Sequence, residues 1–229
     1  MLTFYDFWSQ KFAPPGQYFC ARVFSHRLGA ALAYLALRAG LSPNQVTLAG
    51  LLTMLAANAC LAWSSGYDGF LLFALALYQI GFGLDCADGQ LARGTQRCSA
   101  YGAWLDVTAD HIRNIGILLA LATNVARQAE LDIPAVIALF LLGIGLSVGL
   151  HTVSVLKSGE YRPHGLRQWR AQAKQMVKEL TDTPLFLLSI CLLLPLRPLL
   201  LAYIALCGLL YLLVAVVQAG LRIKATRAA

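Results

Sequence analysis

The sequence is short of charge. Of its 229 residues only 13% are Asp, Glu, Lys or Arg, against about 25% in an ordinary soluble domain, which excludes a charged surface wrapped around an internal core. Paired cysteines are also missing. Cys20, Cys60, Cys86, Cys98, Cys191 and Cys207 form no C-x-x-C unit and mostly fall in or beside apolar stretches, which favours small packing residues over a redox or zinc centre. No basic stretch followed by an apolar core opens the chain between Met1 and Gln10, so no cleavable signal is expected. No internal repeat is evident, which argues against a transporter built from inverted halves. What the chain has in abundance is apolar: 59% hydrophobic residues and a mean hydropathy of +0.64.

This composition and the punctuation along the chain predict an all-α integral membrane protein, with six transmembrane helices preceded by an N-terminal interfacial amphipathic helix. The expected organisation is a cytoplasmic segment with that helix over residues 1–42, a six-helix catalytic domain over 43–220 and a basic tail over 221–229. Residues 1–15 are aromatic-rich and end in Pro14-Pro15, which stops any helix. From Gly16 to Gly40, Arg22, Arg27 and Arg38 stand among Phe19, Val23, Phe24, Leu28, Leu32, Leu35 and Leu37. That pattern suits a helix in the headgroup plane, with a buried helix and snorkelling arginines as the alternative.

Ser42-Pro43-Asn44 opens the first span, with Ser42 or Asn44 as cap and Pro43 in the first turn. It runs to about Trp63. The further spans are read at about Phe70 to Arg93, Ser99 to Val125, Pro134 to Leu156, Thr183 to Pro195 and Arg197 to Gly220. Gly145-x3-Gly149 in the fourth marks a close helix contact. Between the fourth and fifth, Arg167, Arg170, Lys174 and Lys178 recur at helical spacing beside Leu166, Trp169, Ala173, Val177 and Leu180. A second interfacial helix binding anionic lipid and a plain solvated loop are the two readings. The N-terminal segment, the 93–99 turn, the 157–183 stretch and the tail together hold 15 of the 18 Lys and Arg. By the positive-inside rule both termini and that turn face the cytoplasm.

Against this apolar background stands one polar stretch. Asp85, Asp88, Asp106 and Asp110 lie inside two of the predicted spans, where each ionised group costs roughly 2.5 to 3.5 kcal/mol on insertion scales. Asp85 and Asp88 are an i,i+3 pair, and Asp106 and Asp110 an i,i+4 pair, so each helix aims its acids along one face. A short polar turn, Gly94 to Cys98, joins the helices antiparallel and brings all four acids to similar depth, roughly 10 to 13 Å from the turn. Four like charges in one pocket call for a cation, and hard oxygen donors without Cys or His suit Mg²⁺ or Mn²⁺. Two such ions can clamp a diphosphate and stabilise both oxygens of a displacement at phosphorus. Gly89 and Gly102 leave room for a close approach, and Arg93 can pair a phosphate through its fork.

The pattern D-x2-D-G-x2-A-R-x8-G-x3-D-x3-D is matched at every fixed position by Asp85, Asp88, Gly89, Ala92, Arg93, Gly102, Asp106 and Asp110. It resembles the signature of the CDP-alcohol phosphotransferases, membrane enzymes of phospholipid synthesis. The resemblance implies that the four aspartates hold two Mg²⁺ or Mn²⁺ ions and that Gly89, Ala92 and Arg93, with Gly102, line the cytidine diphosphate pocket. It further implies that Asp110 is the general base for the acceptor hydroxyl, with CMP leaving. Pro43 to Thr47 resembles the family's approach to its first span, making Asn44 and Thr47 nucleotide-ligand candidates, with simple capping as the alternative. His111 and Arg113 follow Asp110 at once and are read as supports of the acceptor site or as packing partners.

Ser154-x2-Lys157 resembles family positions that contact the phosphate of an inositol phosphate acceptor, whereas Gln218-Ala219 departs from a Gln-Arg pair common in those members, with Arg222 a turn later. Glycerol 3-phosphate, an inositol phosphate and a small free alcohol therefore all stand as acceptors. The implied activity is transfer from a CDP-alcohol, with CDP-diacylglycerol foremost, at the cytoplasmic face of a bacterial inner membrane. The partners are the CDP-linked lipid, the alcohol and membrane lipids, with a homodimer left open and no nucleic acid. Two other readings compete. A cation or proton carrier predicts acids spread across the full bilayer, and a catalytically silent family member sits badly with the complete acid set.

Overall fold

The computed structural model describes residues 2–9, 11–12, 25–128, 132–157 and 183–226. These residues form eight helices and no strand: α1 (Phe4–Trp8), α2 (His26–Arg38), α3 (Pro43–Trp63), α4 (Gly69–Gly94), α5 (Ala100–Gln128), α6 (Ile133–Lys157), α7 (Thr183–Leu193) and α8 (Arg197–Thr226). The fold is all-α, as expected. Among the described residues two helices, α3 and α4, are long and apolar enough to cross a bilayer. With 21 residues, α3 is about 32 Å long, close to the ~30 Å hydrocarbon thickness. Shorter apolar runs lie at Ile133–Gly145 in α6 and Arg197–Leu213 in α8.

Local chemistry sets the helix ends. Ser42 caps α3 through a reciprocal box in which its backbone N–H donates to Gln45 Oε1 at 2.8 Å and its hydroxyl accepts from the Gln45 N–H. Asp68 caps α4, accepting from the backbone N–H groups of Ser65 at 2.7 Å and Leu71 at 2.9 Å. Those bonds, the Ser65 one foremost, hold its carboxyl below the ordinary carboxylate range. After α2 the chain turns at Gly40, φ +70°, where Leu41 N–H returns to Ala36 O at 2.9 Å. That left-handed turn favours a residue without Cβ.

Two differences from expectation stand out. The α8 helix continues to Thr226, beyond the expected end near Gly220. A short helix, α1, precedes Pro14-Pro15 where only an aromatic-rich segment was expected. Its signal was present as Thr3-x-x-Asp6, which closes a capping box with Thr3 N–H to Asp6 Oδ2 at 2.8 Å. Of the N-terminal amphipathic helix, residues 13–24 lie outside the described residues, as does the basic stretch with Arg167, Arg170, Lys174 and Lys178.

Packing is organised in two cores. The larger runs from α3 to α8 through Met54, Leu61, Tyr78, Leu121, Leu142 and Ile190, among others. The smaller lies beneath α1 and α2 and is built largely from alanines: Phe7, Ala30, Ala33, Ala36, Val46, Ala87 and Leu91. Small residues let backbones approach. A Cβ on Gly29 of α2 would lie 2.7 Å from Cys86 Cβ of α4, and one on Gly145 of α6 would lie 2.6 Å from Gly208 O of α8. Gly145 thus makes the close contact expected of it. At the far end of the bundle, α5 side chains satisfy the last carbonyls of α3. Asn124 Nδ2 donates to Leu61 O and Ser64 O, both at 2.8 Å, and Arg127 Nη1 donates to Ala62 O at 2.9 Å. The outer surface carries Leu52, Leu72, Phe73, Leu119 and Phe140, all well exposed, as suits helices whose solvent is lipid.

Candidate active site and metal centre

The four acids sit on α4 and α5, but these helices barely touch each other. Each packs along α3 instead. The space between α4 and α5 is therefore a cleft with α3 as its third wall. The connecting turn is closed by Arg97 N–H to Ala92 O at 2.8 Å and passes through Gln96 at φ 56°; the Gly102 N–H then donates to Ser99 Oγ at 3.0 Å. These local bonds return α5 beside α4 at the acids' depth.

Carboxylate oxygens of Asp85, Asp106 and Asp110 lie within 4.8 Å of one another. At about 4 Å, two like charges repel by about 4 kcal/mol at an effective dielectric of 20. A counter-charge is supplied by Arg113, itself buried. Its Nη2 lies 2.7 Å from Asp110 Oδ1 and its Nη1 lies 3.4 Å from Asp85 Oδ1. Among the described residues this guanidinium thus bridges two of the three carboxylates, one on each helix. The donor set, three hard oxygens gathered from two helices, fits a divalent cation such as Mg²⁺ or Mn²⁺. A cavity of about 10 Å³ beside Thr47, Asp85 and Arg113 adds room for about one water.

Asp88 stands apart from these three. Its Oδ2 accepts a 2.5 Å hydrogen bond from Thr47 Oγ1 of α3, and both residues are buried. Thr47, expected as a nucleotide ligand or a cap, thus faces Asp88, with Pro43 O also in reach at 3.2 Å. Asn44 lies across the cleft mouth, its Oδ1 3.2 Å from where a Cβ on Gly102 would stand. The Arg93 guanidinium lies over Gly89, whose absent Cβ would be 3.1 Å from Nη1. Gly89 and Gly102 are thus the bare spots of the cleft mouth, each closely faced by a polar side chain. Ala92 lies one residue before Arg93 on the same helix, half-buried. His111 Nδ1 donates back to Val107 O at 2.8 Å, a local bond within α5. Ser154 and Lys157 fall at the end of α6, and their side chains lie outside the described residues.

The bridging position of Arg113 was not assigned from sequence. The available signal was a cation three residues after Asp110 on the acid face of an apolar helix.

Fold and site define a class: a helical membrane protein whose carboxylates, drawn from two neighbouring helices, suit a divalent cation. The model of the CDP-alcohol phosphatidyltransferase family matches residues 41–217, and the chain belongs to this family of membrane transferases of phospholipid synthesis. It is 35% identical over 99 residues to the archaetidylinositol phosphate synthase of Pyrococcus horikoshii, covering 42% of this chain. That match spans 46% of the relative, just under half its length.

The fold is similar to the crystal structure of the phosphatidylinositol phosphate synthase PgsA1 of Mycobacterium tuberculosis in apo form. The two share 21% identity at a TM-score of 0.57, over 81% of this chain and 91% of the other. The same enzyme with CDP-DAG bound compares at 20% identity and a TM-score of 0.55, over 83% and 90%. At these identities the likeness is one of fold.

Proposed function

We propose that the protein transfers a phosphatidyl group from CDP-diacylglycerol to the hydroxyl of an acceptor alcohol and releases CMP. The observation that carries this reading is the convergence of Asp85, Asp106 and Asp110 oxygens within 4.8 Å in a chain of this family. CDP-DAG as donor draws support from the mycobacterial neighbour that binds it. An inositol phosphate is the acceptor to which the names of both relatives point.

In this reading Asp85, Asp106 and Asp110, with Asp88, hold two divalent ions, and Mg²⁺ or Mn²⁺ supplies charge neutralisation for the diphosphate when bound. Arg93 pairs phosphate oxygens through its fork, and Gly89, Ala92 and Gly102 leave the nucleotide room to lie along the cleft mouth beside Asn44 and Thr47. Asp110 accepts the proton of the acceptor hydroxyl as that oxygen bonds to the lipid-side phosphorus. The bond from that phosphorus to the bridging oxygen breaks, and CMP departs with the electron pair. Arg113, held on one Asp110 oxygen, fixes the carboxylate's orientation. Ser154 and Lys157 are retained as acceptor-side ligands on the sequence argument alone.

The six-span reading takes α3 to α8 as the spans and α2 as the interfacial helix, with both termini and the cleft mouth in the cytosol of a bacterial cell. The cation distribution supports that orientation. A cation carrier is disfavoured because the acids gather at one depth instead of forming a path. The test is to incubate the purified chain with CDP-diacylglycerol, Mn²⁺ and, in turn, an inositol phosphate, glycerol 3-phosphate and free inositol. CMP release only with the inositol phosphate is expected; release with none of them, despite bound donor, sinks the reading.

A further inference from the structure

The N-terminal helix is docked on the end of α4 that carries Arg93. Phe7 is fully buried and packs with Phe12 at a centroid distance of 5.3 Å. A Cβ on Gly94 would lie 3.3 Å from ring atoms of both, so the two rings rest on bare backbone next to Arg93. The Phe12 carbonyl accepts a hydrogen bond from Arg93 Nε. Other contacts tie this segment down. Phe7 shares a core with Ala30, Ala33, Ala87 and Leu91, Phe4 meets Tyr34 edge-on at 5.6 Å, and the Arg27 guanidinium lies 5.8 Å over Trp8.

An arginine side chain carries about 2 kcal/mol of rotamer entropy, which binding a phosphate must otherwise remove. With Nε committed to a carbonyl, the plane of the guanidinium is set before any ligand arrives. The two terminal nitrogens lie over Gly89, 3.1 and 3.3 Å from where its Cβ would stand, and make no use of the Phe12 carbonyl, which leaves them as a pair for two phosphate oxygens. We propose that α1 and Phe12 act as a positioning strap for Arg93. The strap presets the guanidinium for the phosphate of the CDP-linked donor, and so tunes nucleotide affinity without touching the nucleotide. The proposal rests on Arg93 being a phosphate ligand.

The test uses the full chain in lipid nanodiscs, with CMP binding at saturating Mn²⁺ measured by calorimetry and Mn²⁺ binding followed separately by electron paramagnetic resonance. Phe7→Ala loosens the strap from below, and Gly94→Val pushes both rings off the helix. Each is expected to weaken the Kd for CMP by about tenfold, the scale set by the lost preorganisation, while leaving Mn²⁺ affinity as it was. In an Arg93→Gln background neither change should weaken CMP binding further, because the group they position is gone. Equal losses with and without Arg93, or loss of Mn²⁺ binding alongside CMP, overturn the strap and leave a general packing role. If Arg93→Gln by itself spares CMP affinity, the phosphate reading of Arg93 fails and the strap falls with it, an outcome visible in that single variant.

Discussion

Asp110 carries two duties in this site, and they separate by substitution. As a general base it needs a carboxylate lone pair, whereas an amide in its place keeps the shape and the contact with Arg113's neighbourhood but accepts a proton poorly. Asp110→Asn is therefore expected to lower CMP release by about a thousandfold or more. Metal-dependent binding of the CDP-lipid should survive in large part because Asp85 and Asp106 remain. Turnover and donor binding, measured side by side, decide it: equal loss of both removes the base role. The bond between Thr47 and Asp88 belongs to the same scale. It shows that one acid of the motif is restrained from α3, an element outside the motif. Spacing along α4 alone carries no information about that partner.

The bundle depends on helix contacts that tolerate no side chain, and these set the next scale. A Cβ on Gly208 would lie 2.5 Å from the Leu141 backbone, so α6 and α8 must part if one is added. Gly208→Leu is predicted to destabilise the protein by about 3 kcal/mol, at the upper end of overpacking costs, seen as a lowered midpoint in thermal unfolding from detergent micelles. An unchanged midpoint would mean that this crossing is not part of the stable core.

The start of α4 offers a pH-dependent check. Asp68, the cap, is held below its ordinary value of 3.8, first by the Ser65 N–H. A lowered folded pKa means that the charged carboxylate's stabilisation is complete above about pH 4 and is lost as pH falls through the folded value. Asp68→Ala should then cost about 1 kcal/mol at neutral pH, as cap removals do. The difference in midpoint between variant and parent should shrink below pH 4; a gap constant down to pH 3 would contradict the assignment.

Seen whole, the molecule gathers acidic side chains inside an apolar bundle. Carboxylate oxygens of Asp85, Asp106 and Asp110 crowd within 4.8 Å of one another, with Arg113 bridging Asp85 and Asp110, a donor set that fits a divalent cation. Activity is accordingly expected to need Mg²⁺ or Mn²⁺ and to vanish in excess chelator, returning on readdition. A dialysed preparation that turns over at full rate in chelator would remove the metal from the mechanism.

The fold class, most of the limits of the helices from α3 to α5 and the acid motif could be read before any coordinates, because each is a short-range property. Hydropathy over twenty residues decides whether a segment is apolar enough to span, a cap such as Ser42 acts within three residues, and i,i+3 and i,i+4 spacings set which side chains share a helix face. The splay of α4 from α5 with α3 between them, the capture of Asp88 by Thr47, the bridge from Arg113 to Asp85 and the docking of α1 onto Arg93 were decided only by the tertiary arrangement. Each joins residues far apart in the chain or selects one partner among several within reach. Such choices follow from how whole helices settle against one another, which no local pattern encodes.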